Sequence, residues 1–270
     1  MQKEQGKPIG VFDSGLGGLT VVKELTKILP HENLVYLGDT ARVPYGPRGV
    51  ETIKRFSEEN TRFLIGENVK AVVIACNTSS AVAADFLKST FPKIPIFEVI
   101  SSASNEVLRG TRSIGVIGTY GTVGSHAYAK NISKNLSRAK VIEKACPLFV
   151  PFIEEGEIEG KALKIIAKGY LSELKKQKVD TLIMGCTHYP IIKNIISETM
   201  GKGVTLINPG KSVAKEVFDF FKKNNLLNRQ KKQGAADFYV TDLTDRFTKV
   251  AEMFLGKKIK NDLKIVELAK

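Results

Sequence analysis

Short apolar runs alternate with amphipathic stretches along nearly the whole chain. Ile9-Gly10-Val11-Phe12 breaks at a glycine-rich turn, and Val21 to Leu29 then carries apolar residues at helical spacing. Leu34-Val35-Tyr36-Leu37 follows, then a Pro/Gly loop from Val43 to Gly49 and a long helical pattern from Glu51 to Ile65. Ala71-Val72-Val73-Ile74-Ala75 has no polar side, as a parallel strand buried on both faces would have none. The alternation resumes with Ile114-Gly115-Val116-Ile117, a helix from Ala162 to Leu174 and a strand at Thr181-Leu182-Ile183-Met184. A helix from Ser212 to Lys222, a strand at Phe238-Tyr239-Val240 and a helix from Arg246 to Leu255 complete it. The pattern predicts an α/β protein with a largely parallel sheet.

A repeat lies inside this pattern. Gly10-Val11-Phe12-Asp13-Ser14-Gly15 recurs 105 residues later as Gly115-Val116-Ile117-Gly118-Thr119-Tyr120. Val73-Ile74-Ala75-Cys76-Asn77-Thr78 recurs 110 residues later as Ile183-Met184-Gly185-Cys186-Thr187-His188. Each copy is an apolar strand running into a small polar turn. The two offsets predict two related α/β halves, each with one cysteine at a strand end.

Composition narrows the class. The 270 residues are 43% hydrophobic and 26% charged, which excludes a disordered or fibrous chain. The start, Met1 to Pro8, is polar and lacks the apolar core of a signal peptide. No apolar run approaches the ~18 residues of a membrane span. A cytoplasmic protein with no membrane partner is expected. The net charge of +13 raises the question of nucleic acid, but the lysines are dispersed, at Lys23, Lys54, Lys88, Lys130 and Lys134 among others. Thicker patches occur only at Lys175 to Lys178 and at Arg229 to Lys232, the latter in a polar stretch, Lys222 to Gln233, expected to be a surface connection. Solvated faces account for this charge, and nucleic acid is not expected as a partner.

Only three cysteines occur, Cys76, Cys146 and Cys186, too few and too odd in number for a disulfide framework. In open α/β sheets ligands bind beyond the carboxyl ends of the strands. Cys76 and Cys186 are expected there, each just before a helix N-terminus. Asn77-Thr78, Thr187-His188 and the turn Asp13-Ser14-Gly15-Leu16-Gly17-Gly18 would offer N–H groups, hydroxyls and an amide to an anion. Two thiols across a small anionic ligand suit inversion of a carbon with an acidic hydrogen, which needs a base on one face and an acid on the other. A helix N-terminus and His188 could raise the thiolate fraction, and Asp13 could relay a proton beside the other thiol. Three other readings stay open at this point. Cys76, Cys186 and His188 could bind zinc, without any familiar spacing. Cys186 with His188 could be a nucleophile–base pair, which leaves Cys76 without a role. Gly15-Leu16-Gly17-Gly18-Leu19-Thr20 could hold a nucleotide, though Thr20 stands where the third glycine belongs.

At these motifs the sequence resembles the glutamate racemases of the cofactor-independent aspartate/glutamate racemase superfamily. The likeness runs from Ile9 through Gly18 to about Asp245-Arg246-Phe247. Its blocks include Tyr36 to Gly46, Ala75-Cys76-Asn77-Thr78, Gly118 to Val123, Cys146 to Pro151 and Gly185-Cys186-Thr187-His188-Tyr189-Pro190. The resemblance implies two similar flavodoxin-like domains with mainly parallel sheets and an active site in the cleft between them. One domain would take residues 1–98 plus 210–270, and the other 99–209. It implies Cys76 and Cys186 as the proton donor and acceptor, assisted by Asp13 and His188, with no cofactor and no metal. Substrate contacts would come from Asp13, Ser14, Tyr45, Gly46, Asn77, Thr78, Thr119, Thr122, Thr187 and His188. Cys146 would be structural. The substrate would be glutamate, with D-glutamate feeding peptidoglycan synthesis, and a homodimer is left open. Ser79, Gly49 and Asn208-Pro209-Gly210 depart from the family pattern without touching either thiol.

Overall fold

The computed structural model describes residues 2–107, 110–243, 247–259 and 263–268. Asp245 and Arg246, at the end of the resemblance and the expected start of the last helix, lie outside the described residues. That helix is described as Phe247–Leu255.

Ten strands form two sheets among the described residues. They are β1 (Ile9–Asp13), β2 (Leu34–Gly38), β3 (Ala71–Ile74), β4 (Ile96–Glu98) and β5 (Ser113–Gly118). Then come β6 (Lys140–Ala145), β7 (Thr181–Gly185), β8 (Thr205–Ile207), β9 (Ala236–Val240) and β10 (Leu263–Ile265). The first sheet has the order β10-β9-β2-β1-β3-β4, and the second has the order β6-β5-β7-β8. Every pairing is parallel. Counted within each half, both sheets contain the same run, second-first-third-fourth, which is the flavodoxin-like order. The sequence repeat is therefore a repeat of topology: β1 answers to β5, and β3 to β7.

Burial explains the strands. Ile9, Val11, Phe12, Val72, Val73 and Ile74 are fully enclosed, as are Val116, Leu182 and Ile183. Each such side chain contributes roughly 1.5–3 kcal/mol when taken out of water, and helices on both faces do the covering. At the edge, β6 differs. It carries Lys140, Glu143 and Lys144 and is only partly buried, which discourages further pairing.

The chain leaves the first sheet through the helix Val99–Glu106 and returns through the helix Pro209–Lys223. These helices pack together, with Ser102 donating to Glu216 and Ser212 to Glu106. Asn208 caps the return helix by accepting from the Gly210 N–H at 3.0 Å, so that departure from the family pattern is locally satisfied. β9 and β10 then extend the first sheet. The stretch expected as a surface connection begins inside the return helix, which ends at Lys223. Beyond it the Asn228 N–H donates to Glu32 Oε1 at 2.7 Å, so the connection is tied down. No helix among the described residues is long and apolar enough to cross a membrane.

Candidate active site

In a parallel sheet of this order the crevice lies at the carboxyl ends of the two central strands, where successive connections leave to opposite faces. Asp13 ends β1, Cys76 follows β3, Thr119 follows β5 and Cys186 follows β7. The two sheets turn these ends to one cavity of about 420 Å³. Cys76 and Cys186 both line it, as do Ser14, Tyr45, Gly46, Asn77, Thr78, Thr119, Thr122, Thr187 and His188. Of the residues expected in the site, only Asp13 is off the wall. It is enclosed, 1% exposed, with its charge bearing on Cys76 and that of His188 bearing on it.

Cys76 caps the helix Asn77–Thr90. Its Sγ accepts from the Ser79 N–H at 3.5 Å and donates to Ser14 Oγ at 3.5 Å. Ser79, a departure from the family pattern expected to touch neither thiol, thus does touch Cys76, because it stands in the first turn of the helix that Cys76 caps. The helix N-terminus was expected to favour the thiolate. Burial and the nearby Asp13 carboxylate outweigh it and push the thiol up to about 11. Asp13 is itself raised by burial, against the pull of His188 and the Gly18 and Gly15 N–H groups. Gly15 N donates to Oδ2 at 3.0 Å, while Oδ1 has no partner among the described residues.

Cys186 departs from expectation in a different way. No α-helix starts after it: a 3₁₀ turn, Tyr189–Ile192, comes first, with Pro190 near its start, and the helix begins only at Lys193. Charge near this thiol comes instead from side chains. His188 Nδ1 lies 3.8 Å from Cys186 Sγ, and His188 Nε2 lies 2.9 Å from Glu154 Oε1. Burial disfavours the imidazolium, but hydrogen bonds and charge from Cys186 and Glu154 prevail and raise His188 to about 10. The imidazole ring also meets Phe254 edge-on at 5.1 Å. Sequence reasoning missed Glu154. It ends the helix Phe149–Glu154, one turn beyond the Cys146 block, and a lone acid there carries no distinguishing spacing.

The polar wall is made of hydroxyls and amides. Thr78, Thr119 and Thr122 place their Oγ1 atoms 3.2–3.4 Å from one another, joining the starts of helices from the two halves. No lysine or arginine lines the cavity among the described residues. Tyr45 lines it too, but its hydroxyl donates to Asp39 and accepts from Asn60 Nδ2 at 3.1 Å. Tyr45 thus offers the cavity no free hydroxyl. The same Asp39 binds Arg42 Nε at 2.7 Å and fixes the loop that carries Tyr45 and Gly46. Val43, Pro47, Pro147 and Tyr120, none of them marked by chemistry in the sequence, supply an apolar rim.

The glycine turn has a steric purpose. A Cβ on Gly17 would sit 2.1 Å from Thr187 Oγ1 and 2.6 Å from His188 Nδ1, and one on Gly18 would sit 2.4 Å from Asp13 Cβ. Thr20, the mismatch in the nucleotide fingerprint, donates its hydroxyl to the Thr187 carbonyl at 2.8 Å. The turn is a contact between the halves, which removes the ground for the nucleotide reading. No three His, Cys, Asp or Glu side chains among the described residues stand together as a metal-ligand set.

The α/β pair of sheets with a thiol from each at one cavity agrees with the arrangement that the resemblance to the aspartate/glutamate racemases implies. The Asp/Glu/hydantoin racemase family model matches residues 9–217, and the chain belongs to that family. It is an isomerase, an amino-acid racemase. Among its relatives, a glutamate racemase of Geobacter metallireducens is 44% identical over 255 residues, 94% of each chain. One from Thermoanaerobacter pseudethanolicus is 45% identical over 261 residues, 96% of this chain and 97% of its own. The crystal structure of Francisella tularensis glutamate racemase in complex with D-glutamate superposes with a TM-score of 0.92 at 43% identity, covering 98% of each chain.

Proposed function

We propose that this protein interconverts L- and D-glutamate by proton transfer between two thiols at Cα, without a cofactor, and that D-glutamate is its product for peptidoglycan synthesis in the cytoplasm. The observation that carries the reading is the placement of Cys76 and Cys186 at equivalent strand ends of the two halves, on one cavity. One sulfur, as thiolate, takes the Cα hydrogen as a proton. The other, as thiol, gives a proton to the opposite face, and the electron pair left on Cα closes onto it. The two sulfurs exchange roles on reversal. His188 holds a proton beside Cys186 with Glu154 behind it, while Cys76 keeps its own proton in a desolvated niche beside Asp13. The hydroxyls of Ser14, Thr78, Thr119, Thr122 and Thr187 and the Asn77 amide would receive the carboxylates. The proposed domains are 1–98 with 210–270, and 99–209. The sheet membership of β9 and β10 supports the first, and the packing of Ile100 and Ala103 with Ile114, Val116 and Ile183 supports the division after residue 98.

The test is racemisation of L-glutamate and L-aspartate by exhaustively dialysed protein in heavy water. Early D-glutamate should carry solvent deuterium at Cα while unreacted L-glutamate stays largely protiated. Early product that keeps its original hydrogen, or turnover that returns only on adding pyridoxal phosphate, overturns the mechanism. Faster turnover of aspartate overturns the substrate.

A further inference from the structure

We propose that Tyr128 is a positioning residue for the racemisation, holding the Asn77 amide so that its NH₂ faces the substrate carboxylate and spacing the two thiol-bearing turns; this rests on the function proposed above. Tyr128 lies in the helix Ala127–Asn135 and is fully buried. Its hydroxyl crosses to the other half of the molecule and donates to Asn77 Oδ1 at 2.6 Å. Its ring packs on the backbone at Gly185, where an added Cβ would stand 3.0 Å from Tyr128 Cε2. Asn77 directly follows Cys76, and Gly185 directly precedes Cys186. One side chain therefore touches the neighbour of each thiol.

The hydrogen-bond inventory fixes the amide. Tyr128 belongs to a buried apolar cluster with Ile100, Ile114, Val116 and Ile183, and its hydroxyl donates to Asn77 Oδ1, with Glu98 and Cys186 acting on it only through their charge. Donation to Oδ1 turns Nδ2 the other way, and Asn77 lines the cavity. An Asn77 amide without this partner could rotate and present an acceptor to an anion, which repels it. The orientation of a substrate donor in one half is thus set by a hydroxyl from the other half.

The experiment compares wild type, Tyr128→Phe, Asn77→Ala and the double variant in steady-state racemisation of both enantiomers, with thermal melts to verify folding. Tyr128→Phe keeps the ring on Gly185 and removes only the hydroxyl. KM should rise about tenfold for both L- and D-glutamate with kcat within about threefold, because the lost interaction serves ground state and transition state alike. The double variant should be no worse than Asn77→Ala alone. A KM within about twofold of wild type, a loss confined to kcat, or multiplying losses in the double variant overturns the proposal. If Tyr128→Phe does not fold, Asn77→Asp takes its place: it keeps the acceptor for Tyr128 and replaces the donor, so KM should rise at least tenfold, and a KM within twofold overturns it. Wild type that fails to racemise glutamate overturns the parent reading and this one with it, whereas active wild type with an indifferent Tyr128→Phe overturns this one alone.

Discussion

Replacing Gly17 with alanine tests how tightly the two halves are fitted at the reacting groups. The added methyl would stand 2.1 Å from Thr187 Oγ1, 2.6 Å from His188 Nδ1 and 2.7 Å from His188 Cε1. To reach ordinary contact, the Thr187 hydroxyl must retreat by more than ~1 Å and the imidazole by nearly as much. The residues that carry them are held. The Thr187 carbonyl is held by Thr20 at 2.8 Å, and His188 is held by Glu154 at 2.9 Å with Phe254 against its ring. Overpacking of this kind costs about 1–3 kcal/mol of stability, and a reacting group displaced by ~1 Å can lose about 10²-fold in rate. Gly17→Ala should therefore unfold at lower urea concentration and lose roughly 10²-fold in kcat for glutamate. Gly169→Ala is the control. It lies within the helix Lys161–Lys176 with nothing within 4 Å of its added methyl, and it should gain about 0.5–1 kcal/mol without changing kcat. Gly17→Ala with kcat within threefold of wild type would refute the tight-fit reasoning.

Cys76→Ala and Cys186→Ala should each lower racemisation by about 10²–10⁴-fold. Cys146→Ala should stay within a few-fold of wild type because Cys146 is enclosed and off the cavity wall; an inactive Cys146→Ala would contradict the thiol assignment. Activity that depends on the His188 imidazolium is retained below about pH 10 and lost as pH rises through that value. Glu154→Gln removes one of the two partners that raise His188, so the alkaline limb of the kcat profile should move down by about one to two pH units; an unmoved limb would argue that Glu154 is idle. Lys70 and Glu32 form a buried ion pair at 2.6 Å, with side chains 1% and 2% exposed, at the amino end of the first sheet. Lys70→Met should cost about 3–5 kcal/mol in urea unfolding by stranding the carboxylate, whereas kcat of the folded fraction should not change.

What could be read from the sequence follows from what leaves a periodic trace. Strands buried on both faces, such as Ala71–Ile74 and Thr181–Gly185, show as unbroken apolar runs, and the equal spacing of their cysteines exposed the repeat. The edge strand Lys140–Ala145 and the three-residue strands Ile96–Glu98 and Thr205–Ile207 are too polar or too short to register. In the site, residues carried by strand-end turns were legible because the turn itself is a signal. Glu154 and Tyr128 were not. Each sits on an ordinary helix and gains its role only by reaching across space, to His188 in one case and to Asn77 in the other. The glycine turn was legible as a motif but not in meaning, since its tightness serves protein–protein contact within the chain.

The return of the chain to the first sheet governs the order in which the molecule can be assembled. The strands of the second sheet are contiguous in sequence, between residues 113 and 207, and need no later segment to pair. By contrast, Leu34 must wait for Ala236, and the ring of His188 for Phe254. Closing so long a loop adds only modest entropy to the folded balance but slows its formation. On the ribosome, then, the strands of the sheet bearing Cys186 can pair while the sheet bearing Cys76 still lacks its outer strands, although His188 still waits for Phe254. A chain that ends before Phe254 lacks the aromatic contact on the His188 ring.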